Sequence, residues 1–75
     1  MINELQTVVL SHDINEHNLS SGDVGAVVHR YPDETTFEVE FVTAGGDTLA
    51  VLTLTNQDIR PMLQNEMLHV RTVAA

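Results

Sequence analysis

His12, Asp13, Glu16 and His17 bring two imidazoles and two carboxylates into six consecutive residues, a donor set that suits zinc or a similar ion. A metal site also needs a defined ligand count and geometry. No nearby residue completes a recognised zinc spacing, and histidines five apart do not share a helix face. The stretch therefore reads as a solvated polar loop, and no metal is expected there. The chain has no cysteine, so a cysteine-based zinc site and a disulfide are both ruled out.

A second acidic group is Asp33, Glu34, Glu38 and Glu40. Two neighbouring carboxylates can share acid and base work. That chemistry requires a cleft and one carboxyl raised by burial, neither of which a very small barrel offers. The four residues are expected instead to form an acidic docking stripe for a protein partner. Ser20, Ser21, His29 and His69 supply nucleophile and base types, but no nucleophile elbow or other local signature positions them. They read as turn serines and strand histidines. No catalytic or cofactor-binding residue is expected, and the protein is expected not to be an enzyme.

Charge narrows the choice of partner. Eleven acidic residues face only Arg30, Arg60 and Arg71, with no lysine, for a formal net charge of −8. Phosphate backbones and anionic lipid surfaces recruit Lys and Arg, so neither nucleic acid nor membrane is favoured. A basic or cationic protein is the expected partner. The one aromatic left outside the expected core is Tyr31, too little for a base-stacking surface.

These side chains must be held by a small scaffold. A chain of 75 residues supports one core, and 43% apolar content spread in short runs gives that core its material. Met1 to Leu5 lacks the basic and apolar regions of a signal peptide, and no run approaches membrane-spanning length, so a cytoplasmic location is expected.

Leu5 to Leu10 reads as a first strand, followed by a long polar loop in which Ile14 and Leu19 are apolar pins. Val24 to Arg30 reads as a second, with Gly25 marking a bulge or a close backbone approach. In the third, Phe37, Val39 and Phe41 alternate with Glu38 and Glu40, the period of a half-buried strand. Ala44-Gly45-Gly46-Asp47 supplies a hairpin turn into a fourth strand, Leu49 to Leu54, which is apolar on both faces. Two-sided apolarity calls for a cover, and a homo-oligomer through strand four or the C-terminal arm is one expectation. Thr55 to Asp58 forms a turn before Ile59 to Met62, where Pro61 marks an edge strand.

The tail is ambiguous: Leu63, Met67 and Val70 fit a helix, while Leu68, Val70 and Thr72 fit a strand. The order as a whole is that of an all-β, SH3-like barrel of about five antiparallel strands, with a one-turn 3₁₀ helix before the last strand. One domain is expected over residues 1–75, with the barrel at 5–62 and a C-terminal arm or extra strand at 63–75.

Several segments carry a family resemblance: Thr7 to Leu10, Leu19 to Val28, Phe37 to Phe41, Thr48 to Leu54, Asp58 to Pro61 and Leu68 to Arg71. Together they resemble a bacterial family of small proteins known only as a domain of unknown function, numbered 4926. The resemblance implies an SH3-like barrel and transfers no catalytic or binding residue. Proteins of this kind resemble small partners of toxin-like neighbours, which implies an acidic antitoxin or immunity-like role. Gly22-Asp23-Val24-Gly25 also looks like the turn of KOW-type modules. That gives the alternative expectation, a nucleic-acid or ribosome accessory module using Arg30, Arg60 and Tyr31.

Overall fold

The valine- and threonine-rich runs form strands because β-branched side chains pack well on a pleated surface and resist helix. In the computed structural model, which describes residues 2–73, these are β1 (Thr7–Leu10), β2 (Val24–Arg30), β3 (Thr36–Val42), β4 (Thr48–Thr55) and β5 (Ile59–Pro61). All pairings are antiparallel, in one sheet ordered β4-β3-β2-β1-β5. Residues 1, 74 and 75 of the expected domain and arm lie outside the described residues. No helix among the described residues is long and apolar enough to cross a membrane.

The connection between β4 and β5 shows that the sheet must curl. These two strands lie at opposite ends of the sheet order, yet only residues 56–58 join them. Laid flat, five strands at a spacing of about 4.8 Å put the outer strands about 19 Å apart. Four Cα–Cα steps of about 3.8 Å reach about 15 Å at full stretch. The turn is far from stretched, because the Asp58 amide donates to the Thr55 carbonyl at 2.9 Å. The sheet ends are therefore drawn together, as in a small barrel.

The inner face of that curl is the core. Val8 and Leu10 of β1, Val27 of β2, Phe37, Val39 and Phe41 of β3, Leu54 of β4 and Ile59 of β5 form one buried cluster with Ile2 and Leu19. Each large side chain so buried is worth about 1.5–3 kcal/mol relative to exposure. Phe37, Val39 and Phe41 point inward as their period of two requires.

Gly25 explains how β2 crosses so close to β3. A Cβ there would stand 2.7 Å from Val39 Cγ1, 2.9 Å from Phe41 Cε1 and 3.0 Å from the Glu40 carbonyl oxygen. The glycine thus serves close approach, while the irregularity of β2 falls later, between Val27 and His29. In the β3–β4 hairpin it is Gly46, at φ +92°, that takes the left-handed conformation.

Two local expectations are corrected. The first strand begins at Thr7, because Leu5 sits in a turn at φ 68° and is 84% exposed. The 3₁₀ turn lies in the first loop at Asn15–His17, closed by Asn18 in the left-handed region, and not before β5. Asp58 folds its carboxylate back onto the Thr55 amide at 2.9 Å, which closes the β4–β5 connection as a hydrogen-bonded turn of three residues. Ile14 and Leu19 bridge across the 3₁₀ turn, and Leu19 enters the core. Residues 62–73 hold neither helix nor strand and run as an arm back to the start of β2.

Candidate functional site

The histidine-carboxylate loop is pulled apart by the fold. His12 Nε2 lies 2.7 Å from Asp58 Oδ1 and its Nδ1 lies 3.0 Å from the Asp13 carbonyl. A carbonyl and a carboxylate both accept, so both ring nitrogens donate and the imidazolium is the favoured form. The Asp58 hydrogen bond, reinforced by the Asp13 carbonyl, raises the His12 pKa above 6.5. A ring engaged at both nitrogens has no lone pair for a metal.

Asp13 Oδ1 accepts from the Ser21 amide at 2.8 Å, and Glu16 and His17 lie exposed on the 3₁₀ turn. No group of three or more His, Cys, Asp or Glu side chains among the described residues could hold a metal ion. With the Ser11 amide donating to the Asp58 carbonyl at 2.8 Å, His12 braces the β4–β5 turn.

The acidic stripe divides into two roles. Asp33 Oδ1 accepts from the Thr35 and Thr36 amides, each at 2.9 Å, and its Oδ2 from the Thr36 hydroxyl at 2.7 Å. These donors, the Thr36 hydroxyl foremost, hold its pKa below 3.8 and commit the side chain to the β2–β3 turn. Glu34 completes that turn at φ 63° with its side chain exposed.

Glu38 and Glu40 stand on the outer face of β3. Glu38 accepts from the Tyr31 hydroxyl at 3.0 Å and from the Thr53 hydroxyl, and Glu40 from the Thr48 hydroxyl at 2.9 Å. Donation to Glu38 keeps the Tyr31 phenol protonated and raises its pKa above 10.0. Tyr31 is itself set by His29, ring edge to face at 4.7 Å. The sheet register creates this arrangement, since Glu38 lies between His29 and Thr53 and Glu40 between Ala26 and Val51.

The arginines are engaged elsewhere. Arg60 makes a two-pronged bond to Glu66, at 2.8 and 2.6 Å, which with the Leu63 amide lowers the Glu66 pKa to about 2. Arg71 grips Asp23 through Nε at 2.8 Å and Nη2 at 2.5 Å, and its Nη2 also donates to the Asn18 carbonyl at 2.7 Å. His69 Nε2 stands 3.3 Å from the same carboxylate. Asp23 is a buried carboxylate, and Arg71 lowers its pKa against the opposing pull of burial. Arg30 lies at the end of β2, with Nη1 3.2 Å from the Asn3 side-chain oxygen.

Asp23, Arg71, Asp58, Thr48 and Thr53 are site residues that reading along the chain does not single out. Asp23 and Arg71 are 48 positions apart and His12 and Asp58 are 46 apart, beyond any local signal. The hydroxyls of Thr48 and Thr53 follow from the β3–β4 hairpin register, which the Gly-Gly turn implies. Between the arm and the barrel end lies an open cleft of about 370 Å³, lined chiefly by Leu19, Phe41, Leu49, Val70 and Val73. Its charged members, Asp23, His69 and Arg71, contact one another, so the cleft offers apolar surface and no poised chemical group.

Comparison with protein families matches residues 4–61 to the family described as "Domain of unknown function (DUF4926)". The chain belongs to that family. The match ends at the last residue of β5, so the five-stranded sheet, Asp23 and the β3 glutamates are within it and the Arg71 arm is beyond it. No curated protein and no solved structure matches the chain.

Proposed function

We propose that this DUF4926 domain is a non-catalytic protein-interaction module whose outer β3 face docks a basic segment of a protein partner. The observation that carries this reading is the setting of Glu38 and Glu40. Both carboxylates are oriented by hydroxyls from neighbouring elements, whereas Glu4, Asp23, Asp58 and Glu66 are the acids paired with basic groups. Hydroxyl donors fix a carboxylate without neutralising it, which leaves charge ready for an incoming Lys or Arg. The −8 net charge steers such a partner toward the domain.

An antitoxin or immunity-like role fits this surface, with ordered carboxylates standing in for the phosphates that a basic partner binds. The nucleic-acid alternative gains no such support, because Arg60 and Arg71 are each held by a carboxylate.

The test replaces Glu38 and Glu40 by glutamine and measures binding of a synthetic Lys- and Arg-rich peptide, and of proteins retained from the native host, at low and moderate salt. The expected result is binding that weakens with salt and drops at least tenfold in the double variant. Binding indifferent to both changes removes the acidic-face mechanism.

A further inference from the structure

We infer that the unpaired edge of β4 is a self-association surface, where a second copy of the chain adds its own β4 antiparallel to extend the sheet. This inference stands apart from the acidic-face reading and uses a different side of the sheet.

The two sheet edges are treated differently. β5 is three residues long and contains Arg60 and Pro61, features that discourage a further strand. β4 is eight residues long, Thr48 to Thr55, with neither a charged residue nor a proline. β3 is its strand neighbour in the sheet, so short of Thr55, whose amide and carbonyl are taken by Asp58, its other side presents unpaired backbone donors and acceptors. Such an edge is completed by another strand. Its one irregularity falls at the start, between the Phe41–Ala50 and Val42–Thr48 pairs, and leaves Ala50 to Thr55 in regular register. Exposed apolar side chains gather here: Leu49 at 37%, Val51 at 50% and, beside them on β3, Val42 at 52%.

Self-pairing of β4 selects a second copy as the occupant, and its uncharged side chains limit the repulsion that two acidic chains feel there. Two chains at −8 repel across most of their surfaces, and residues 48–55 form a stretch of edge that itself carries no charged side chain. Asp47 and Asp58 flank its two ends, Asp58 with its carboxylate on the Thr55 amide, and Glu38 and Glu40 lie one strand inward. Across β3-β4-β4-β3 the glutamates of the two copies are about 14 Å apart at the usual strand spacing. That exceeds the screening length of about 8 Å at physiological salt.

The strand is also its own complement. A continuous sheet with a two-fold axis keeps inner side chains opposite inner ones. Centred on Leu52, the pairing sets Leu52 against Leu52, Ala50 against Leu54 and Val51 against Thr53.

Sedimentation velocity on the full chain, from micromolar to millimolar concentration, is the primary measurement. A dimer is expected that tightens as salt is added, because salt screens like-charged copies. Capture of a basic partner moves in the opposite direction, so failure of one reading is distinguishable from failure of the other. V51K, which places a charge on the edge, is expected to weaken the dimer at least tenfold, while E38Q/E40Q leaves it in place.

The absence of cysteine gives an independent readout. V51C is expected to cross-link to itself with a short bismaleimide, since the two side chains stand diagonally about 7–8 Å apart. A26C, on exposed β2, is expected not to. A chain that stays monomeric throughout overturns the inference, even if β4 proves to bind a foreign strand. So does a dimer that survives V51K and shows no V51C cross-link. Should circular dichroism show V51K unfolded, the cross-link decides alone.

Discussion

His12 illustrates how a residue's chemistry depends on what the fold brings to it. In sequence it belongs with Asp13, Glu16 and His17 as a ligand type, and in space it belongs with Asp58. The pairing has a definite pH signature. The His12 pKa is raised above 6.5, so its contribution to stability is complete below 6.5 and is lost as pH rises through the raised value. The Asp58 pKa is lowered below 3.8, chiefly by His12, so its contribution is complete above 3.8 and is lost as pH falls through the lowered value. The brace is therefore strongest between about pH 4 and 6.5. Thermal melts of the wild-type chain and H12Q should converge as pH rises above 6.5, with the wild type losing the larger margin. Curves that stay parallel across that range count against the ion pair. Asp33 and Asp23 teach the same lesson, since each acid is explained by the donors around it.

At the scale of elements, β2 and β3 are matched by a missing side chain. Gly25 lets the β2 backbone lie against Val39, Phe41 and the Glu40 carbonyl. Val39 and Phe41 are buried, and the Glu40 contact is backbone, so little near Gly25 can yield. G25A is expected to destabilise the domain by roughly 1–3 kcal/mol through overpacking. Chemical denaturation measures this directly, and an unchanged midpoint refutes the close-packing account. The period of two in β3, the Gly-Gly turn and Pro61 at an edge were all legible along the chain, because each follows from local backbone geometry. The site of the 3₁₀ turn was not, because it depends on Ile14 and Leu19 pairing across it and on Asn18 accepting a left-handed conformation. The arm was ambiguous for a related reason. Its course is set by the grip of Arg71 on Asp23 across the molecule, and its own periodicity fits two templates equally.

For the whole molecule the dominant number is −8. Self-repulsion of that size opposes a compact state that buries only about 60% of the unfolded surface, as domains this small do. Moderate sodium chloride is expected to raise the melting temperature by screening that repulsion. A fall would show that the internal ion pairs, weakened by the same screening, outweigh it. Concentration must be held constant in this measurement, since a dimer also raises apparent stability.

Composition and pattern by themselves determined a single small all-β chain, an acidic surface, an inward face of Phe37, Val39 and Phe41, and a set of polar residues with no recognisable catalytic order. These follow from side-chain alternation, turn chemistry and charge, which act over a few residues or by simple summation. Tertiary structure decided which carboxylate meets which donor. It sent His12 to Asp58, Arg71 to Asp23, and the hydroxyls of Tyr31, Thr48 and Thr53 to the β3 glutamates. It also decided which edge of the sheet is guarded and which stands open. Hydrogen bonds reach only about 3 Å, so partners dozens of residues apart are assigned only when the sheet curls and brings its ends together.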